Sequence, residues 1–206
     1  MRGRESGMPD IELWEEFFDP VEVVLALSDP GQRNRCVEFG SGYGTFTIAS
    51  AALDDVKEIV SLDIDDTMIA TTRRRLAGEH EHKVTLELRD FVTHGSGLPD
   101  HWADWAMLFN LLHIESPMDL LAEAHRVLRP GGILALIHWR DDIVTPRGPS
   151  LSIRPSRQQC QRWAEEAGFE LIQTPSFDRN LWHWGLKLRA SMRRELPTSS
   201  IGLDHQ

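Results

Sequence analysis

The 206-residue sequence predicts an α/β domain built on a doubly wound, seven-stranded, mostly parallel sheet with an antiparallel last strand. Three observations carry this. Short β-type runs alternate with helical patterns between residues 35 and 174, and a glycine-rich turn follows the first of those runs. The last two strand-like runs, 169–174 and 184–188, have no helix between them, so they pair antiparallel.

The elements follow in order. Leu13, Trp14, Phe17, Phe18, Val21, Val24 and Leu25 recur at helical spacing, and Pro20 divides them into two short pieces that form an N-terminal helical cap over about 8–30. Arg35–Phe39 is the first strand, and Phe46, Ile48, Ala49 and Ala52 mark the helix after it. Glu58–Asp63 is the second strand, Thr67–Leu76 a helix, and Val84–Leu88 the third strand. The apolar run Asp104–Leu112 is long enough for a buried fourth strand. Ser116-Pro117-Met118-Asp119 then supplies a cap, a proline in the first turn and a first-turn acid for a helix. That helix buries Leu120, Leu121, Ala124, Val127 and Leu128 until Arg129-Pro130-Gly131-Gly132 stops it, and Ile133–His138 is the fifth strand. Arg157–Ala167 reads as a helix, and residues 1–190 are expected to form one domain with 191–206 as a mobile tail.

Composition narrows the partners. A net charge of −10 argues against sequence-independent binding to nucleic acid or anionic lipid. Only Cys36 and Cys160 occur, neither at zinc-ligand spacing, so no metal and no disulfide framework is expected, and a reducing cytoplasm fits. Met1–Asp10 has no apolar core of the kind a secretory signal needs, and no run reaches the length of a membrane span.

The most informative stretch is Val37-Glu38-Phe39-Gly40-Ser41-Gly42-Tyr43-Gly44-Thr45. Glycines there permit positive φ and close approach of a ligand, and the helix start offers N–H groups to an anionic moiety. About twenty residues on, Asp63 ends the second strand, where a carboxylate can accept from both hydroxyls of a ribose; the bland alternative is a solvated strand-end acid beside Asp65 and Asp66. A dinucleotide fingerprint needs a third glycine at position 45, which is Thr45.

The spacing Glu38-x-Gly40-x-Gly42-x-Gly44, with Asp63, Asp90-Phe91 and Arg126-Val127-Leu128-Arg129-Pro130-Gly131-Gly132, closely resembles the class I S-adenosylmethionine-dependent methyltransferases over roughly Cys36–Trp139. The resemblance implies the Rossmann-like methyltransferase fold and S-adenosylmethionine as cofactor. It places Gly40, Ser41, Gly42 and Gly44 beside the methionine portion, Asp63 on the ribose and Asp90 at the adenine amino group. It sets Ile64 and Phe91 against the adenine ring, Asn110 and Leu111 under the methyl group, and gives Glu38 the loop or the cofactor's ammonium.

On the acceptor side, His113 and His138 fall at the carboxyl ends of strands, where open parallel sheets bind ligands, and either can serve if the acceptor must lose a proton. Residues 140–157 hold Arg140, Arg147, Arg154 and Arg157 against Asp141 and Asp142, and Pro146, Pro149 and Pro155 stiffen the segment. Arg140 or Arg147 is therefore the candidate ligand of an anionic acceptor, and ion pairs that merely hold the loop are the alternative.

A small-molecule acceptor is expected. Exocyclic base amines are disfavoured because Asn110 is followed by Leu111-Leu112-His113 rather than a Pro-Pro-aromatic run, and cytosine C5 because no cysteine stands there. Tyr43 is the only tyrosine, which removes the tyrosine-plus-lysine pair of short-chain NAD(P) reductases. A scaffold or sensor that binds the cofactor without turnover stays open.

Overall fold

The computed structural model describes residues 9–78 and 80–191; residues 192–206 of the expected tail, and 1–8, lie outside them. The elements are α1 (Ile11–Glu15), α2 (Pro20–Ala26), β1 (Arg35–Phe39), α3 (Thr45–Ala51), β2 (Glu58–Asp63), α4 (Asp66–Leu76), β3 (Val84–Leu88), α5 (Phe91–His94), β4 (Ala103–Phe109), α6 (Pro117–Val127), β5 (Leu128–Trp139), α7 (Arg157–Glu166), β6 (Phe169–Gln173) and β7 (His183–Ala190), with one 3-10 turn, Glu81–Lys83, before β3.

The seven strands form one sheet in the order β3-β2-β1-β4-β5-β7-β6. β3, β2, β1, β4 and β5 pair parallel, and β7 runs antiparallel between β5 and β6. The reversal of strand order between β1 and β4 opens a crevice at the carboxyl ends, the usual ligand position in such sheets.

Period-two alternation divides the core in two. Val37, Phe39, Ala106, Leu108, Leu134 and Leu136 pack on one face with Leu120, Leu121 and Ala124 of α6 and Cys160 and Ala164 of α7. Cys36, Trp105, Met107, Ile133 and Ala135 pack on the other with Val23 and Val24 of α2 and Phe46 and Ala51 of α3. Both faces are covered, which is why the central strands read as continuous apolar runs. Among the described residues no helix is long and apolar enough to cross a membrane.

Several boundaries differ from the sequence reading. β4 ends at Phe109, not residue 112, because Asn110 takes φ +57° and turns the chain while its N–H still reaches the Ile137 carbonyl at 2.9 Å. β5 begins at Leu128, so Arg129–Gly132 is carried inside the strand as an irregularity in its pairing with β4. The four-residue α5 was not foreseen: Phe91–His94 is too short for a helical period, and Asp90 accepts from Thr93 N at its start.

Candidate active site

A cavity of about 260 Å³ opens at the crevice, walled by residues from the β1–α3 turn, the ends of β2 and β4, and the 147–149 segment. The turn is built by its glycines. Gly40, Gly42 and Gly44 hold φ of +82°, +52° and +78°, and the N–H groups of Gly40 and Ser41 both donate to the Leu62 carbonyl at 2.8 and 2.9 Å. The anion that the turn grips is the protein's own. Asp63 accepts from Gly42 N at 2.9 Å on one oxygen and from Asp65 N at 2.9 Å on the other, with Ser41 Oγ at 3.4 Å. A carboxylate has about four acceptor sites, so Asp63, which lines the cavity, keeps capacity for a further donor. Burial pushes its carboxyl above the ordinary value of 3.8, against the hydrogen bonds from Asp65 and Gly42.

Of the residues the sequence singled out, Gly40, Ser41, Gly42, Asp63, Ile64, Asp90, Phe91, Asn110, Leu111, His113 and Arg147 converge on this one cavity. Asn110 is the most exposed to chemistry: both its amide atoms are buried without a hydrogen-bond partner among the described residues, on a backbone in the left-handed region. Leaving a buried amide unmatched costs on the order of 1–3 kcal/mol, which is tolerated where a ligand completes it.

Four residues stand elsewhere. Gly44 does not line the cavity; a Cβ there would meet Thr72 Cγ2 of α4 at 2.6 Å, so its role is helix packing. Glu38 points to the α3 face, where Ser61 Oγ at 2.6 Å and the Thr47 hydroxyl donate to its Oε2. It supports the turn from behind, and its burial raises the carboxyl to about 7 despite those two hydrogen bonds. Arg140 is outside the wall and forms a two-point pair with Asp142 at 2.9 and 2.7 Å. His138 sits behind His113 rather than in the cavity, fully buried.

Sequence reasoning missed Trp14, Phe46 and Met68: Trp14 lines the cavity from α1 and donates from Nε1 to Thr45 Oγ1 at 3.1 Å, and Phe46 and Met68 join Trp139 and Pro149 in the apolar wall. Arg154 is the organiser of the loop: its five N–H donors reach the carbonyls of Pro149, Arg140 and Arg147 and the hydroxyl of Thr145. Gly148 lies over the Trp139 ring, with 2.6 Å between the ring and the position of a Cβ. The signal for Gly148 was present in the Arg-Gly-Pro run, but which of four arginines would be buried was not.

Residues 37–136 match the family described as Methyltransferase domain. The chain is 32% identical over 186 residues to an uncharacterized 37.1 kDa protein in transposon TN4556 of Streptomyces fradiae, covering 89% of this chain and 51% of that protein. It is 28% identical over 178 residues to a probable S-adenosylmethionine-dependent methyltransferase of Mycolicibacterium smegmatis, covering 82% of this chain and 63% of that one. It thus spans between half and two thirds of the length of these relatives. Among solved structures it resembles a SAM-dependent methyltransferase from Aquifex aeolicus at TM-score 0.72 and 19% identity, over 85% of this chain and 91% of that one, which shows the fold.

The residues present fit S-adenosylmethionine: the unmatched Asn110 amide, the Asp63 carboxylate and the glycine turn all face one space, flanked by Ile64 and Phe91. Sheet order, glycine turn and the match over 37–136 together identify that stretch of the chain as a methyltransferase domain of the class I S-adenosylmethionine-dependent kind.

Proposed function

We propose that this protein transfers the methyl group of S-adenosylmethionine to a small anionic acceptor seated between the cofactor crevice and the 140–155 loop. The observation that carries the anionic acceptor is Arg147. This residue makes no ion pair among the described residues, lines the same cavity as Asp63 and Asn110, and sits on a loop that Arg154 and Gly148 hold in place. A planar five-donor group on a fixed loop suits a carboxylate or phosphate.

The bound cofactor supplies a sulfonium methyl, an electrophile that reacts by in-line displacement. The chain's contribution is position and dryness. Asp63 would hold the ribose hydroxyls, with Ile64 and Phe91 against the adenine and Asp90 near its amino group. Gly40, Ser41 and Gly42 would lie along the methionine portion, and Asn110 and Leu111 close to the methyl. Trp14, Phe46 and Trp139 exclude water from the acceptor side.

Calorimetric titration with S-adenosylhomocysteine and with NADH, on wild type and Asp63→Ala, tests the cofactor. Saturable binding of the former alone, weakened at least about tenfold in the variant, is the expected result; binding of NADH, or of neither ligand by folded protein, overturns it. With methyl-labelled cofactor and a panel of small carboxylates and phosphates, Arg147→Ala should raise the KM of the methylated compound about tenfold or more at unchanged affinity for S-adenosylhomocysteine. Binding without transfer to any compound would favour the scaffold or sensor.

A further inference from the structure

Two buried histidines share hydrogen bonds that fix where their protons sit. Nδ1 of His138 is 3.2 Å from the carbonyl oxygen of Trp139, and Nε2 of His138 is 3.2 Å from Nδ1 of His113. A carbonyl oxygen only accepts, so Nδ1 of His138 carries that ring's proton and its Nε2 the lone pair. His113 must then donate from Nδ1, which makes its Nε2 the basic nitrogen. This tautomer assignment comes from the network of acceptors. Trp184 stacks on the His138 ring at 5.9 Å and 23° between planes, holding its orientation.

We propose that His138 is a positioning residue that locks His113 in the tautomer whose Nε2 serves as the general base of the cavity. The proposal rests on the methyl-transfer reading above and deepens it: the acceptor is a compound that gives up a proton, from a hydroxyl or an N–H, as it is methylated. In that step the acceptor atom forms its bond to the methyl carbon as the carbon–sulfur bond breaks with its electron pair left on sulfur. The acceptor's proton passes to Nε2 of His113, and the resulting imidazolium keeps its Nδ1–H on Nε2 of His138.

The surroundings keep His138 in this role. Burial, then the neighbouring His113, hold its pKa down to about 3, with Arg154 adding to the effect, so the acceptor nitrogen is present throughout the physiological range. The other titratable or charged groups nearby are His183 on β7, whose pKa is also lowered by burial and by His138, and Arg147, Asp63, Asp65 and Asp90 around the cavity. The two rings meet directly through the 3.2 Å contact, their centroids 5.4 Å apart.

The test is long-range 1H–15N correlation on protein labelled with 15N-histidine and titrated with S-adenosylhomocysteine, the His113 signals being assigned with His113→Gln. At neutral pH the wild type should show His113 and His138 both protonated at Nδ1 and unprotonated at Nε2. Protonation of His113 at Nε2 instead overturns the proposal. In His138→Phe, His113 should become a tautomer mixture and its titration midpoint should fall by about one pH unit, the worth of one lost hydrogen bond. His138→Gln, which restores an acceptor, should return it. An unchanged His113 pattern in His138→Phe also overturns the proposal, and if that variant does not fold the wild-type pattern alone decides. S-adenosylhomocysteine that fails to bind while the wild-type pattern stands would strike the methyl-transfer reading and leave the tautomer lock intact.

Discussion

Arg154 grips Pro149 twice: Nε at 3.2 Å and Nη2 at 2.6 Å converge on the single carbonyl oxygen of a residue that walls the cavity. Arg154 is only 9% exposed and no carboxylate forms an ion pair with it among the described residues; its hydrogen bonds all go to loop oxygens. Replacing it removes the common centre of the 140–154 loop. Arg154→Ala should cost about 3 kcal/mol, the order of one or two hydrogen bonds to a charged group. Amide exchange should accelerate over residues 141–153, with the acceptor KM raised and cofactor affinity kept. Arg154→Lys should not restore the loop, since three donors replace five; full rescue by lysine would show that charge alone matters.

Asp63 serves the turn and faces the cavity with one carboxylate. Asp63→Asn should weaken binding of S-adenosylhomocysteine less than Asp63→Ala, because an amide oxygen can still accept from Gly42. Because burial raises the Asp63 carboxyl, the ionised form is lost at a higher pH than for a surface aspartate. Affinity for S-adenosylhomocysteine should therefore fall as pH drops through that raised value. Flat affinity down to the ordinary range of aspartate would contradict this.

Gly44→Ala separates fold from binding. It combines a left-handed φ of +78° with a contact of 2.6 Å to Thr72 Cγ2, and strain of about 1–2 kcal/mol from the backbone alone predicts a lowered melting temperature. Binding of S-adenosylhomocysteine to the folded fraction should be retained, since Gly44 is not in the cavity wall. Thr72→Ala added to it should recover the contact and not the backbone strain.

Buried ionisable groups of opposite behaviour set the pH dependence of stability. His138, lowered from 6.5 to about 3, and His183, also lowered, each make folding weaker as pH falls below 6.5, because the unfolded chain takes up the proton first. Glu38, raised from 4.5 to about 7, acts the other way: its contribution is complete below 4.5 and is lost as pH rises to about 7. Each group has a slope of up to about 1.4 kcal/mol per pH unit. Urea unfolding of Glu38→Gln against wild type should show a difference that shifts in the variant's favour from pH 4.5 to 7 and is constant outside that window. A parallel pair of curves would show that Glu38 does not titrate with folding.

The three strands before residue 90 fall on the residues the sequence marked, because each is a short apolar run closed by strong turn chemistry: Gly40 after β1, Asp65-Asp66 after β2, Arg89-Asp90 after β3. β4 overran in the reading because Leu111 and Leu112 continue its apolar run, and Leu112 is indeed buried at 2%; only the left-handed Asn110 ends the strand. Glu38 was visible as an acid inside an apolar strand, yet its direction depended on the strand's pleat relative to α3, and the face it takes is the one carrying Thr47 and Ser61. Trp14 and Arg154 were opaque for a different reason. One depends on where α1 comes to rest and the other on which arginine a loop folds around, and both are tertiary facts with no local period.

Trp139 gives the fold a shared bearing. Gly148 of the 140–154 loop rests on its indole, while Phe17, Phe18 and His183 lie against it with centroids at 5.5, 6.1 and 4.2 Å. The segment joining the first two helices and the lip of the cavity, about 130 residues apart in sequence, therefore turn on one side chain. One indole thus packs the link between α1 and α2 against the rim of the cavity.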